Sequence, residues 1–166
     1  DGGNGKGTFI NAVTAILADY ATVAPMDTFT ASIHERHPTE LAGLQGARLV
    51  TAQETQEGRR WDEAKIKQLT GGDEIRARYM RQDYFTYMPQ FTLMFSGNHR
   101  TEIRNLDAAM RRRFHMVPFT HKPLVIDKNL GDKLKMEWPS ILAWAIRGCV
   151  MWQKDGLAPP QAIVSA

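Results

Sequence analysis

Near the start of the chain, Gly2-Gly3-Asn4-Gly5-Lys6-Gly7-Thr8 combine the parts of a phosphate-holding turn. Glycines let a backbone bend close to an anion, successive N–H groups point inward, and a lysine reaches the outer phosphates. The residues that follow place Phe9, Ile10, Val13, Ile16 and Leu17 on one helical face, so a helix would present its positive end to that turn. In the pattern G-x-x-x-x-G-K-[ST] a hydroxyl directly after the lysine takes a magnesium ion. Here Gly7 holds that place and Thr8 comes one later, which makes Thr8 the candidate metal ligand. The plain alternative is a glycine-rich terminus ahead of an ordinary helix.

Four further stretches carry chemistry-bearing residues. RLVTAQE ends an apolar run with Glu54, and a carboxylate at a strand exit can hold magnesium through water or orient an attacking water. Glu57 is a second candidate for that role, and a solvated loop glutamate is the alternative. FSGNH puts Asn98 after another apolar run, where an amide could orient a lytic water or a phosphate oxygen, or simply form a turn. Arg111-Arg112-Arg113 is either a solvated face or the source of a guanidinium for a neighbouring subunit's phosphates. Arg76, Arg78 and Arg81 are interleaved with Tyr79, Tyr84 and Phe85, which suits single-stranded nucleic acid through phosphate contact and stacking, or a charged guard on an edge hairpin. The histidines show no metal-ligand spacing beside the lone Cys149.

Elements that would position these residues can be read from periodicity. The helix after the glycine turn is followed by a short helix from Thr39 with a turn at Gly46, and by a buried strand through ARLVTA that ends at Gln53–Glu54. WDEAKIKQLTGGD predicts a helix closed by Gly71–Gly72. DEIRARYM alternates Ile75, Ala77 and Tyr79 against Arg76, Arg78 and Met80, and pairs back with YFTYM around a tip at Arg81-Gln82-Asp83. FTLMFSGN and FHMVPF predict two more strands, with NLDAAMRRR a short helix between them. From about Asn129 the pattern is helical, with Ile141, Leu142, Ala145, Ile146, Cys149 and Trp152 as its expected buried stripe, and a last helix starts after Pro159-Pro160. Strands alternating with helices predict a mostly parallel α/β sheet followed by a helical appendix.

The 166 residues suffice for one core, and 43% hydrophobic with 23% charged residues reads as globular. One cysteine excludes an internal disulfide framework. A net charge of +3 permits nucleic acid without requiring it, and the basic residues crowd into 76–81 and 100–113. No apolar run reaches membrane-spanning length.

Taken in order, GGNGKGTF, RLVTAQETQEGRRWDEAKIKQLTGGDEIRARYM, FSGNH and AMRRRFHMVPF resemble the Walker A, Walker B with B′, sensor 1 and arginine-finger segments of superfamily-three helicases. The similarity is to the primase–helicase proteins of phages, plasmids and large DNA viruses, and it covers almost the whole chain. It implies a P-loop NTPase fold, AAA+-like or RecA-like, with helices flanking the sheet, an ATPase core over 1–120 and a C-terminal helical extension over 121–166. It implies ATP and Mg²⁺ as ligands, single-stranded or forked DNA as partner, a ring-hexamer homo-oligomer, no membrane, and the cytoplasm of a bacterial host as location. Gly2 through Thr8 would then cradle ATP, with Lys6 on the β- and γ-phosphates. Glu54 would be the Walker B acid and, with Thr8, serve the metal. Asn98 would be the sensor, Arg113 the trans-acting finger with Arg112 second, and Arg81, Arg78, Arg76 and Lys67 the DNA contacts. Lys6, Glu54 and Asn98 would converge on one triphosphate.

The chain departs from the family pattern at Gln53, where Walker B often has another acid, and at Arg81-Gln82, where lysine would be typical. The strand before the glycine turn is expected to be missing, leaving an apolar groove between strands at Phe91–Ser96 and Phe114–Phe119. Two competing readings are a P-loop nucleotide kinase, since G-K-G-T also occurs there, and a non-catalytic nucleic-acid-binding fragment, because this stretch of chain on its own would be poor at binding ATP.

Overall fold

Leu49–Gln53 forms strand β2, and its first four residues are buried, as a run apolar on both sides demands of an inner strand. It is the centre of a three-stranded parallel sheet of order β1-β2-β5, in a computed structural model that describes residues 3–32, 38–53, 60–97 and 108–164. On one side β1 (Ala21–Val23) pairs Ala21 with Leu49. On the other β5 (Thr92–Ser96) pairs Leu49 with Thr92 and Gln53 with Ser96.

The helices are α1 (Lys6–Leu17), α2 (Thr39–Ala42), α3 (Glu63–Thr70), α4 (Ala108–Arg111), α5 (Leu130–Asp155) and α6 (Gln161–Val164). A two-stranded antiparallel hairpin joins β3 (Ile75–Ala77) to β4 (Phe85–Tyr87). The α3 start is fixed by Asp62, whose side chain accepts from the Lys65 amide at 3.0 Å. Its end is followed by Gly72 at φ 84°, in the left-handed region that glycine enters without a Cβ penalty. The chain is therefore mixed α/β with a parallel sheet, as expected.

Two compact units make up the chain: Leu17–Phe114, and Asp1–Ile16 together with His115–Ala166. The first holds every buried residue among those described, with Phe29, Ile66, Leu69, Ile75, Val50 and Met110 nearly inaccessible. Phe95 of β5 packs between Phe29 (edge-on, centroids 5.0 Å) and Trp61 (4.5 Å). An isolated bridge from Thr30 to Trp61, with Asp62 N–H donating to Phe29 O at 2.9 Å, ties the α3 approach to the same core.

The other unit corrects two expectations. Residues 114–119 form no strand: Pro118 supplies no N–H for a ladder, and 115–118 are exposed. The expected groove thus has no second strand to wall it. In α5 the stripe expected to be buried is not: Ile141 is half-buried, and Leu142, Ala145, Ile146, Cys149 and Trp152 are exposed. The 3.6-residue pattern found the helix, but periodicity cannot supply the surface that would cover it.

Candidate functional site

In the glycine turn, Gly3 and Gly5 take φ of 81° and 85°, values that disfavour any residue with a Cβ. Nothing lies within 4 Å of where a Cβ would stand on Gly3, Gly5 or Gly7, so the backbone there is open. α1 begins at Lys6, and its first turn closes through Phe9 N–H to Gly5 O at 2.9 Å. Asn4 donates from Nδ2 to Phe119 O at 2.8 Å, and the Phe9 and Phe119 rings meet at 5.8 Å. The 114–119 segment, expected as a strand, instead braces the glycine turn through its last residue. Gly2 lies outside the described residues, and Thr8 is half-buried in the first turn of α1.

β2 and β5 are parallel and end on register partners, Gln53 and Ser96, so both chains leave the sheet at the same rim. Glu54 and Glu57 follow the first and Asn98 follows the second; all three lie outside the described residues. Ligands of parallel sheets gather at this carboxyl end. Among the described residues no group of three His, Cys, Asp or Glu could hold a metal ion.

The arginine run is anchored by its neighbours. Met110 is fully buried, and the Phe114 ring packs against Trp61, tilted at 58° with centroids 5.5 Å apart. Arg113 donates from Nε to Thr70 Oγ1 at 3.1 Å and from Nη1 to Ala109 O at 2.9 Å, which staples α4 to the end of α3. Among the described residues Arg112 engages only Nε, with Ala108 O at 3.1 Å, so its terminal nitrogens have no partner there. Both arginines are exposed.

On the hairpin, the ladder pairs Ile75 with Tyr87, Arg76 with Thr86 and Ala77 with Phe85. One face therefore carries Ile75, Ala77, Phe85 and Tyr87, and the other Arg76 and Thr86, with Arg78 and Tyr84 just beyond the ladder. Tyr87 O–H donates to Leu41 O at 2.7 Å, and Tyr79 O–H to Ala42 O at 3.1 Å, which fastens the hairpin to α2. Burial, reinforced by Tyr79, pushes the Tyr87 hydroxyl up to about 12 from 10.0. On the other face the Arg76 and Arg78 guanidinium carbons lie 4.3 and 4.8 Å from the centroid of one ring, that of Tyr84. The connection is longer than the expected three-residue tip. It turns through Gln82 N–H to Tyr79 O at 3.1 Å, with Arg81 at φ 60°. Lys67 sits half-buried in the last turn of α3.

The alternation Ile-Arg-Ala-Arg-Tyr separated the two hairpin faces correctly. What it did not reveal is the partner of each group: Thr70 for Arg113, Tyr84 for two arginines, and Phe119 O for Asn4. The Arg113 and Asn4 contacts join stretches 43 and 115 residues apart, and the Tyr84 contact crosses the hairpin's own connection.

Among the described residues no helix is long and apolar enough to cross a membrane. A family model, described as a family of unknown function (DUF5906), matches residues 1–113, and the chain belongs to that family. No curated protein matches it.

Proposed function

We propose that this member of the DUF5906 family is the P-loop ATPase part of a nucleic-acid translocase, an ATP-dependent DNA helicase domain of the phage or plasmid primase–helicase kind. The observation that supports it most is the shared rim: β2 and β5 end at Gln53 and Ser96, and the chain runs on from there to Glu54 and Asn98. The open turn at Gly3 and Gly5, leading into α1 at Lys6, supports a phosphate ligand.

In this reading ATP is the substrate. Gly3 to Gly7 hold its phosphates through backbone N–H groups, and Lys6 neutralises charge on the outer ones. Glu54 orients the attacking water and Asn98 holds it in line, so the step is direct phosphoryl transfer to water with no covalent intermediate. Magnesium, held by Thr8 and Glu54, would supply further charge neutralisation. Arg113, or Arg112, reaches the phosphates of a neighbouring subunit in a ring. Arg81, Arg78, Arg76 and Lys67 meet the DNA.

The test is Lys6→Ala, assayed for DNA-stimulated ATP turnover in the intact protein. The expected fall is about 100-fold or more, the scale of losing one charge-stabilising donor. Unchanged turnover removes the glycine turn from the mechanism.

A further inference from the structure

A turn rich in glycine is soft. Glycine gives up more backbone freedom on ordering than any other residue, and a ligand that closes the turn around itself meets that cost. The surroundings of this turn give it little support: nothing lies within 4 Å of the Cβ positions of Gly3, Gly5 and Gly7. Stiffness has to come from the residues between and after the glycines.

One residue far along the chain braces the turn twice. Asn4 stands between Gly3 and Gly5, stays out of their left-handed region, and donates from Nδ2 to Phe119 O at 2.8 Å. Phe9, whose N–H closes the first turn of α1 onto Gly5 O, sets its ring against that of Phe119 with centroids 5.8 Å apart. The two contacts flank Gly5-Lys6-Gly7-Thr8, the stretch that would wrap a phosphate. Burial singles out the same residue, since among 115–120 Phe119 alone is not exposed. That segment is held down at a single point, and the point lies on the glycine turn.

We infer that Asn4 and Phe119 are positioning residues for the phosphate ligand. They preset the glycine turn in its binding shape, which raises affinity and leaves the chemical step untouched. The inference rests on the ATP reading above and adds to it what holds the site ready before ATP arrives. The Asn4 side chain acts through the backbone and needs no contact with the nucleotide.

The experiment compares three forms of the intact protein: wild type, Asn4→Leu, which keeps the bulk and loses the donor, and Asn4→Gln, which keeps the donor. In Asn4→Leu the dissociation constants for ATP and for inorganic tripolyphosphate rise alike, by about fivefold, the scale of one neutral hydrogen bond. KM for ATP rises with them and kcat stays at the wild-type value, as expected when only uniform binding is lost. Asn4→Gln binds more tightly than Asn4→Leu. Phe119→Leu keeps the carbonyl, drops the ring and weakens both ligands by about threefold. With no nucleotide present, hydrogen exchange at the Phe9 amide quickens in Asn4→Leu, because the turn it closes has lost a brace.

A fall in kcat at unchanged KM would place Asn4 on the reacting phosphates and overturn the inference. So would a loss confined to ATP, which would put the side chain on the nucleoside, or Phe9 exchange at the wild-type rate in Asn4→Leu. Failure of the ATP reading looks different: ATP then binds wild type and Lys6→Ala equally, while exchange at the Phe9 amide still responds to Asn4→Leu.

Discussion

The two units of the chain use apolar side chains in opposite ways. In Leu17–Phe114 even short elements place residues in one buried core: β1 is three residues long and α2 and α4 four each, yet Ala24, Ala42 and Met110 at or beside them are buried. In the other unit the longest helix of the chain buries none, and Trp144 and Trp152 are 68% and 55% exposed. The difference lies in geometry rather than composition. A sheet offers one broad surface on which several brief segments can settle, and each covers the next. A lone helix that is apolar around much of its circumference has nothing equivalent until another surface meets it. Hydrophobicity names residues that gain from cover; topology decides which receive it.

The contrast breaks or sharpens most clearly at two aromatic residues. Phe29→Ala, at a site with no exposure, should cost about 3–5 kcal/mol in denaturant unfolding. Trp144→Ala should cost less than about 0.5 kcal/mol. A loss of several kcal/mol at Trp144 would mean that α5 is covered in solution and would end the comparison.

A smaller effect is expected where the hairpin meets α2. Tyr87→Phe should cost about 1 kcal/mol at neutral pH, through the hydrogen bond to Leu41 O. The same hydroxyl makes stability depend on alkaline pH. Its folded value of about 12 lies above the ordinary 10.0, so between those values the unfolded chain releases a proton that the folded one keeps. Stability contributed by the neutral phenol is therefore complete below pH 10 and lost as pH rises toward 12. The loss should be on the order of 1 kcal/mol, allowing for solvent screening at a partly exposed group. Urea midpoints measured across that range should fall in the wild type and fall less in Tyr87→Phe.

The smallest effect has the opposite sign. Arg81 holds φ 60° at the turn, a conformation that costs a residue with a Cβ about 1 kcal/mol. Arg81→Gly should stabilise the protein by up to about that amount in thermal unfolding, while losing the tip cation. A destabilised variant would show that the arginine side chain contributes more than its backbone costs.

Much of the architecture was legible because burial on both sides leaves a mark: Leu49–Ala52 is apolar but for Thr51, and it is the central strand. The hairpin faces were legible from alternation, and the α3 end from Gly71–Gly72. β1 was not, since three residues carry no period and Ala21–Val23 becomes a strand only by pairing with β2. Residues 114–119 misled in the other direction, with strand-like composition but a proline where a ladder needs a donor. Of the candidate site, the glycine turn and the arginine-bearing hairpin were readable from residue type alone. The grip of Arg113 on Thr70 was not, because nothing local to either residue encodes the other.

The parallel pairing of β2 with β5 has a consequence for how the molecule comes into being. Every contact from Leu49–Thr92 to Gln53–Ser96 closes a loop that contains α3 and the entire hairpin. Parallel neighbours admit no short reversal, so the chain must forfeit the freedom of that whole loop before the ladder returns any energy. High contact order of this kind slows folding. The rim where β2 and β5 end should accordingly be among the last parts to acquire shape, well after the hairpin has zipped.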